Sequence, residues 1–558
     1  MILQAISDLV SIAARHGIRE AILSPGSRCA PLSIGFIRHP QFHCRTISDE
    51  RSAGFIAMGM AQQLDRPVVM VCTSGSAAYN YAPSVAEAYF QQIPLLILTA
   101  DRPPEWIDQW DGQTIRQAGI FGNHVKKSFV LPDSFEHADK VWHLHRIINE
   151  AINEANRFPK GPVHVNIPLR EPFYPTGGED VDFSRWVQVI DDTPSRPIFS
   201  NTHWDGLAAE LNKFQHILIV PGQQKPAPEL KLILQEIHQS HRAVVITDLI
   251  SNLQGTQGIR HPDFLLQTAS DREAINPDLI ISFGKSILSK ALKQYLRSSE
   301  AEQWHLQCQG YVPDPFQRLR KVLPVEPIDF LTWFRSCSHT PAKAFASKWN
   351  SEESRIREKL PNAMKMADFG EFKAIYHCLA HLPSPSKLHL ANSMAVRYAS
   401  FLSMVPEDVE VIANRGTSGI DGSNSTAVGC ALTTKEQVTL ITGDLAFFYD
   451  RNAFWHNYDV PNLRIIVLNN HAGGIFRLIE GPSRLPELEE FFETKQALTA
   501  QSLAMEFNFE YLPVHREDSL LNTLPEFFQH SIRPKIIEVF SSSPENARII
   551  KEIKAGLT

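Results

Sequence analysis

The chain has 558 residues, 43% of them hydrophobic and 21% charged, with a formal net charge of -7. That length exceeds a single hydrophobic core and divides into about three or four domains, and an acidic balance with no dense basic stripe excludes a nucleic-acid partner. Seven cysteines without a CxxC pair or zinc-like spacing predict a reduced, cytoplasmic protein, and no apolar run reaches the ~18 residues that span a bilayer.

The first ten residues carry Asp8 inside an apolar stretch and have no basic lead, which predicts an amphipathic helix to about His16 and no signal peptide. Strand Glu20 to Leu23 runs into the turn Ser24-Pro25-Gly26-Ser27-Arg28. A short stretch ending in Ser48-Asp49-Glu50-Arg51 precedes a helix of small residues, Ser52 to Ala61, whose Gly and Ala permit close backbone packing. Buried strands Val68 to Cys72 and Leu95 to Leu98 follow, ending in Thr73-Ser74-Gly75-Ser76 and Thr99-Ala100-Asp101-Arg102. This is βα winding with polar residues at the strand ends.

Gly161 to Ile167 reads as the last strand of that unit, and residues 171–197, rich in Pro, Gly and acids, as a linker. A middle block restarts the pattern with strands His216 to Val220, Ala243 to Ile246 and Leu279 to Ser282. Its Pro221-Gly222-Gln223 turn lacks the GxGxxG spacing of dinucleotide folds. A charged helical connection spans Pro341 to about Met366. The last third brings a helix to about His381, then Asn392-Ser393, then strand Val409 to Ala413 followed by Asn414-Arg415-Gly416-Thr417-Ser418-Gly419. A small-residue turn of this kind can offer its amides to an anion.

The apolar run Val438 to Thr442 then breaks at Gly443-Asp444-Leu445, and Leu463 to Leu468 ends in Asn469-Asn470. An acid and an amide at the carboxyl ends of two buried parallel strands lie where open α/β sheets bind ligands. Hard oxygen donors of this type suit Mg²⁺ completed by water and phosphate. Alone, Gly-Asp after a strand is an ordinary turn.

Glu50, Gly443-Asp444 and Asn469-Asn470, taken together, resemble the thiamine-diphosphate-dependent enzyme superfamily, with Leu445 standing where its metal motif usually has a second glycine. The turns at 24–28, 49–54, 73–77, 98–105 and 414–422 are similar to the branch of the menaquinone pathway that joins isochorismate to 2-oxoglutarate. The resemblance implies an α/β fold of three doubly wound parallel-sheet domains: pyrimidine-binding at 1–180, central at 190–340 and diphosphate-binding at 360–558. It also implies thiamine diphosphate with Mg²⁺ or Mn²⁺, and a homodimer or homotetramer with active sites at subunit interfaces.

By the same resemblance, Glu50 hydrogen-bonds the cofactor's aminopyrimidine ring and favours its basic imino tautomer. Arg28, Arg102, Arg397 and Arg415, with Ser27, Gln113, Lys290 and Ser393, are the contacts to substrate carboxylates and hydroxyls, a task for which the planar guanidinium is suited. Ile475, Phe476 and Ile479 form an apolar wall. Gly75, Gly416, Thr417, Ser418, Gly443, Leu445 and Asn470 touch the cofactor, and Asp444, Asn470 and the carbonyl of Ala472 hold the metal. His471-Ala472 replaces the family's usual asparagine and glycines, and Lys290-Ala291 stands where some members have two basic residues. Another thiamine-diphosphate decarboxylase or carboligase, or a silent paralogue serving as a scaffold, would share Glu50 and Asp444 or the fold alone.

Overall fold

The computed structural model describes residues 2–171, 173–174, 181–193, 195–269 and 272–557, and among them the strands form three all-parallel sheets. Strands β1 (Glu20–Leu23), β2 (His43–Thr46), β3 (Val68–Cys72), β4 (Leu95–Asp101), β5 (Ser128–Val130) and β6 (Pro162–Pro168) lie in the order β2-β1-β3-β4-β6-β5. The central sheet takes β7 (Ile217–Pro221), β8 (Val244–Val245), β9 (Leu279–Phe283), β10 (Glu302–Leu306) and β11 (Leu319–Leu323) in the order β11-β10-β9-β7-β8. The third sheet takes β12 (Ser386–Leu390), β13 (Val409–Ile412), β14 (Gln437–Gly443), β15 (Leu463–Asn469), β16 (Glu510–Val514) and β17 (Lys535–Phe540), ordered β13-β12-β14-β15-β17-β16.

The first and third sheets therefore share one winding. Each reverses direction beside its first strand, between β1 and β3 and between β12 and β14, and such reversals open a crevice at the strands' carboxyl ends. Strands β3, β4 and β15 are buried along their whole length, which is why they read as unbroken apolar runs. The edge strands β2 and β11 are largely exposed or half-buried, so neither carries such a run.

Helix Glu50–Leu64 of the first unit packs on helix Ser423–Ala431 of the third, in a core shared by both sheets. Two glycines make this approach possible. A Cβ on Gly59 would stand 2.2 Å from the Thr426 carbonyl oxygen, and one on Gly429 would stand 2.1 Å from that of Ile56.

Both connections pack against the units they join. Within 171–197, residues 172, 175–180 and 194 lie outside the described residues. Phe173, Phe183 and Val187 join the first unit's core, and Asn149 Nδ2 donates to the Gln188 carbonyl at 2.9 Å. Helix Lys343–Met366 runs unbroken through position 360, where the third domain was expected to begin. Its Phe345 and Trp349 enter the central core and its Ile356, Leu360 and Met364 the third. No helix among the described residues is long and apolar enough to cross a membrane.

Candidate active site

At the reversal of the third sheet, the ends of β12, β13, β14 and β15 open into a cavity of about 360 Å³. Eleven of the residues singled out in the sequence line it: Ser393, Arg397, Arg415, Ser418, Gly443, Asp444, Leu445, Asn470, Ala472, Ile475 and Phe476. Ile479 follows on the same turn and is 40% exposed. Asp444 begins the short helix Asp444–Tyr449 and is buried, its carboxylate accepting from Gln496 Nε2 at 2.6 Å. Burial pushes the Asp444 carboxyl up to about 6.

The positive φ in the turn after β15 falls on His471, at 59°, and not on Ala472. His471 N donates to Asn469 Oδ1 at 3.0 Å and Ala472 N to Asn470 Oδ1 at 2.9 Å. Leu445 fills the space beside Gly473, whose added Cβ would lie 3.4 Å from the Leu445 Cδ1.

Glu371 also lines the cavity. It is 2% exposed and accepts from Asn470 Nδ2 at 2.6 Å. Burial, together with the nearby charge of Asp444, pushes its carboxyl up to about 8. Two buried carboxyl groups share this space with an amide and exposed peptide groups, while a Cβ on Gly443 would meet nothing within 4 Å. Among the described residues no three His, Cys, Asp or Glu side chains gather as a self-sufficient metal site. This donor set fits a hard cation that takes its remaining oxygens from phosphate and water.

Arg397 and Arg415 are half-buried on the same cavity: desolvation depresses both guanidiniums, and the charge of Arg415 further depresses Arg397. Among the described residues neither makes an ion pair. Arg415 Nη1 donates to Asn392 Oδ1 at 2.6 Å, and its buried Nε has no partner. Arg397 donates to the Ser393 carbonyl, from a serine held at φ 74°. Two cations lining one cavity, neither of them in an ion pair among the described residues, suit an anion.

Lys290 is exposed and does not line the cavity. Lys293, one turn further along helix Lys290–Ser298, is half-buried, and its ammonium is depressed first by burial and then by Arg415.

The first-sheet residues form a separate cluster. Arg28 is 6% exposed, donates to the Leu169 carbonyl at 2.8 Å and stacks over Phe173. Arg102 pairs with Asp111 at 2.9 Å and donates to the Gly112 carbonyl, which fixes the loop carrying Gln113. A Cβ on Gly75 would lie 3.3 Å from Gln113 Cα. Ser27 and Gln113 are exposed, and Glu50 is half-buried at the first position of its helix, near Asn80 Nδ2 at 3.4 Å. None of Ser27, Arg28, Glu50, Gly75, Arg102 and Gln113 lines the Asp444 cavity.

The turn after β13 does receive an anion, and that anion is internal. The N–H groups of Gly416 and Thr417 donate to the Glu87 carboxylate at 2.8 and 2.6 Å, and the Thr417 hydroxyl donates to it at 2.6 Å. Glu87 and Glu371 are the buried, hydrogen-bonded acids that pattern reading missed. Each sits in an amphipathic helix, where one acid looks like solvent-facing charge.

A family model described as "Thiamine pyrophosphate enzyme, N-terminal TPP binding domain" matches residues 4–120, and one described as "Middle domain of thiamine pyrophosphate" matches residues 210–390. Similar chains include the 2-succinyl-5-enolpyruvyl-6-hydroxy-3-cyclohexene-1-carboxylate synthase of Cytophaga hutchinsonii, 47% identical over 99% of this chain and 98% of that protein. Those of Porphyromonas gingivalis and Bacteroides fragilis are each 36% identical over 98% of this chain, covering 96% and 98% of their own.

Proposed function

Since the chain belongs to the 2-succinyl-5-enolpyruvyl-6-hydroxy-3-cyclohexene-1-carboxylate synthase family of thiamine pyrophosphate enzymes, we propose that it decarboxylates 2-oxoglutarate and joins the remaining unit to isochorismate by conjugate addition. It is a thiamine-diphosphate-dependent transferase of menaquinone biosynthesis. The observation that carries the substrate reading is the unpaired Arg397–Arg415 couple on the Asp444 cavity. Two substrates with four carboxylates between them require such cations.

Asp444, the Asn470 amide oxygen and the Ala472 carbonyl would hold Mg²⁺ or Mn²⁺, and Gly443, Leu445 and Ser418 would border the diphosphate. The amides of Gly416 and Thr417 are committed to Glu87, so these two residues serve the cofactor through their remaining groups. Thiamine diphosphate supplies the electron sink for losing CO₂ and forming the new carbon–carbon bond.

The protein's share is to bind, orient and move protons. Glu50 would hydrogen-bond the cofactor's aminopyrimidine ring and favour its basic imino tautomer. Arg28 and Arg102, with Ser27 and Gln113, receive one carboxylate-bearing substrate. Arg397 and Arg415 with Ser393 receive the other, and Ile475, Phe476 and Ile479 keep water from the reacting carbons. Lys293, more than Lys290, adds positive charge from the central domain.

Glu50 and Asp444 belong to different clusters of one chain, so a complete site takes the first cluster from one subunit and the third-sheet cavity from another. A homodimer is the smallest assembly that does this, and a homotetramer is compatible with it. Seven free cysteines suit the reducing cytoplasm. The deciding experiment is product analysis with 2-oxoglutarate, with and without isochorismate. The coupled product with stoichiometric CO₂ is expected, and CO₂ release that ignores isochorismate would favour a simple decarboxylase.

A further inference from the structure

The Glu87 carboxylate is the hub of a buried junction where all three domains meet. Glu87 is 1% exposed on helix Ala82–Gln91 of the first domain. One of its oxygens accepts from Gly416 N at 2.8 Å and from Gln91 Nε2 at 2.7 Å. The other accepts from Thr417 N and from the Thr417 hydroxyl, both at 2.6 Å. Gln91 in turn accepts from Gln223 Nε2 of the central domain at 3.0 Å, and that same amide donates to the Ala413 carbonyl at 3.0 Å. Lys285 Nζ, also central, donates to the Gln91 carbonyl at 2.6 Å. A buried carboxylate with four donors is fully satisfied, and removing one acceptor strands a buried N–H.

The segment held this way carries Arg415. On its other side Asn392 grips the same segment, donating to the carbonyls of Asn414 and Gly419 at 2.7 Å each and accepting from Arg415 at 2.6 Å. Gly416 is required for the approach, because a Cβ there would stand 2.6 Å from the Glu87 carbonyl oxygen. Residues 414–419 are thus fixed from both faces, by the third domain through Asn392 and by the first through Glu87.

We infer that Glu87 is a positioning residue that sets Arg415 for its substrate carboxylate from the first domain of the same chain. It touches neither substrate nor cofactor; it acts by fixing the two peptide groups that follow Arg415. The inference rests on the reading of Arg415 as a carboxylate contact.

The test is a double-mutant cycle on the holoenzyme, with KM for each substrate, kcat and the half-saturating thiamine diphosphate concentration measured for Glu87→Gln, Arg415→Ala and the pair. Arg415→Ala identifies the substrate that Arg415 holds by raising its KM. Glu87→Gln is expected to raise that same KM by about 10-fold while kcat and the cofactor requirement change by less than about 2-fold. In the Arg415→Ala background the Glu87→Gln effect on that KM should disappear. A Glu87→Gln effect that persists in that background, or that falls mainly on the cofactor, overturns the inference while leaving Arg415's role intact. An Arg415→Ala variant with both KM values unchanged overturns the reading of Arg415 and the inference with it. Should Glu87→Gln not fold, Glu87→Asp, which keeps the charge and withdraws it by one methylene, decides by the same criteria.

Discussion

Asn470 Nδ2 donates to the buried carboxyl of Glu371 at 2.6 Å, which commits the nitrogen side of that amide, while its oxygen accepts from Ala472 N at 2.9 Å and keeps a second lone pair for a cation. A group that orients a metal ligand without touching the metal typically changes affinity by about 10–100-fold when lost. Glu371→Leu is therefore expected to weaken Mg²⁺ binding by about that factor, whereas Glu371→Gln, which can still accept from Asn470, should stay within about 3-fold of the parent. Mg²⁺ titrations followed by cofactor binding in a calorimeter check this. Equal losses in both variants would mean that the carboxylate's charge matters rather than its acceptor geometry.

The central domain offers two lysines on one helix, and their surroundings differ. Lys293 is half-buried and shares its field with Arg415 and Arg397, while Lys290 is exposed at the helix start. Lys293→Gln should raise a substrate KM by about 5-fold or more, and Lys290→Gln by less than about 2-fold, since exposed charges are screened. Steady-state kinetics with each substrate varied in turn distinguishes them.

The space around two helical glycines predicts opposite effects for the same substitution. Gly59→Ala would drive a methyl to 2.2 Å from the Thr426 carbonyl oxygen and should cost about 1–3 kcal/mol. Gly206, in helix Asn201–Leu211, has open space where its Cβ would stand, so Gly206→Ala should gain about 0.4–1 kcal/mol. Thermal or denaturant unfolding of the two variants gives the signs directly.

His164 is fully buried between Thr99 Oγ1 at 2.7 Å and Ser128 Oγ at 3.2 Å, and burial pushes its imidazole down to about 3. With the folded value below the unfolded one, near 6.5, the unfolded chain binds the proton first as pH falls. The histidine's contribution is complete above about pH 6.5 and is lost progressively toward pH 3. Relative to the parent, His164→Gln should therefore gain stability on acidification, by about 1.4 kcal/mol per pH unit between pH 6 and 4. Denaturant midpoints of both proteins across that range provide the check, and a pH-independent difference would contradict it.

Much of this architecture is legible in the residues themselves. The buried parallel strands announce themselves as unbroken apolar runs, and Gly443-Asp444, Asn469-Asn470 and Asn414 to Gly419 fall at strand ends where the sheet reverses. Edge strands such as His43–Thr46 carry no such run because much of their surface stays in contact with water. Helix Lys343–Met366 looks like a linker because its mean composition is charged, yet its period buries Phe345, Trp349, Ile356 and Leu360. Glu87 and Glu371 escape for a different reason: their partners lie 329 and 99 residues away in the chain, at Gly416 and Asn470. Local pattern carries no information about contacts of that range. Lys293 lies one turn further into its helix than Lys290 and so comes within the field of Arg415 and Arg397, a distinction fixed by tertiary packing.

In the proposed assembly, a complete site draws Glu50 from one subunit and Asp444 from another. Coexpressed Glu50→Gln and Asp444→Ala chains, each inactive alone, test it most directly. In a mixed dimer one site would collect both defects and the other none, so random pairing should restore roughly a quarter of parental activity. Mixed preparations that stay as inactive as either variant, despite demonstrated formation of heterodimers, would contradict the shared site.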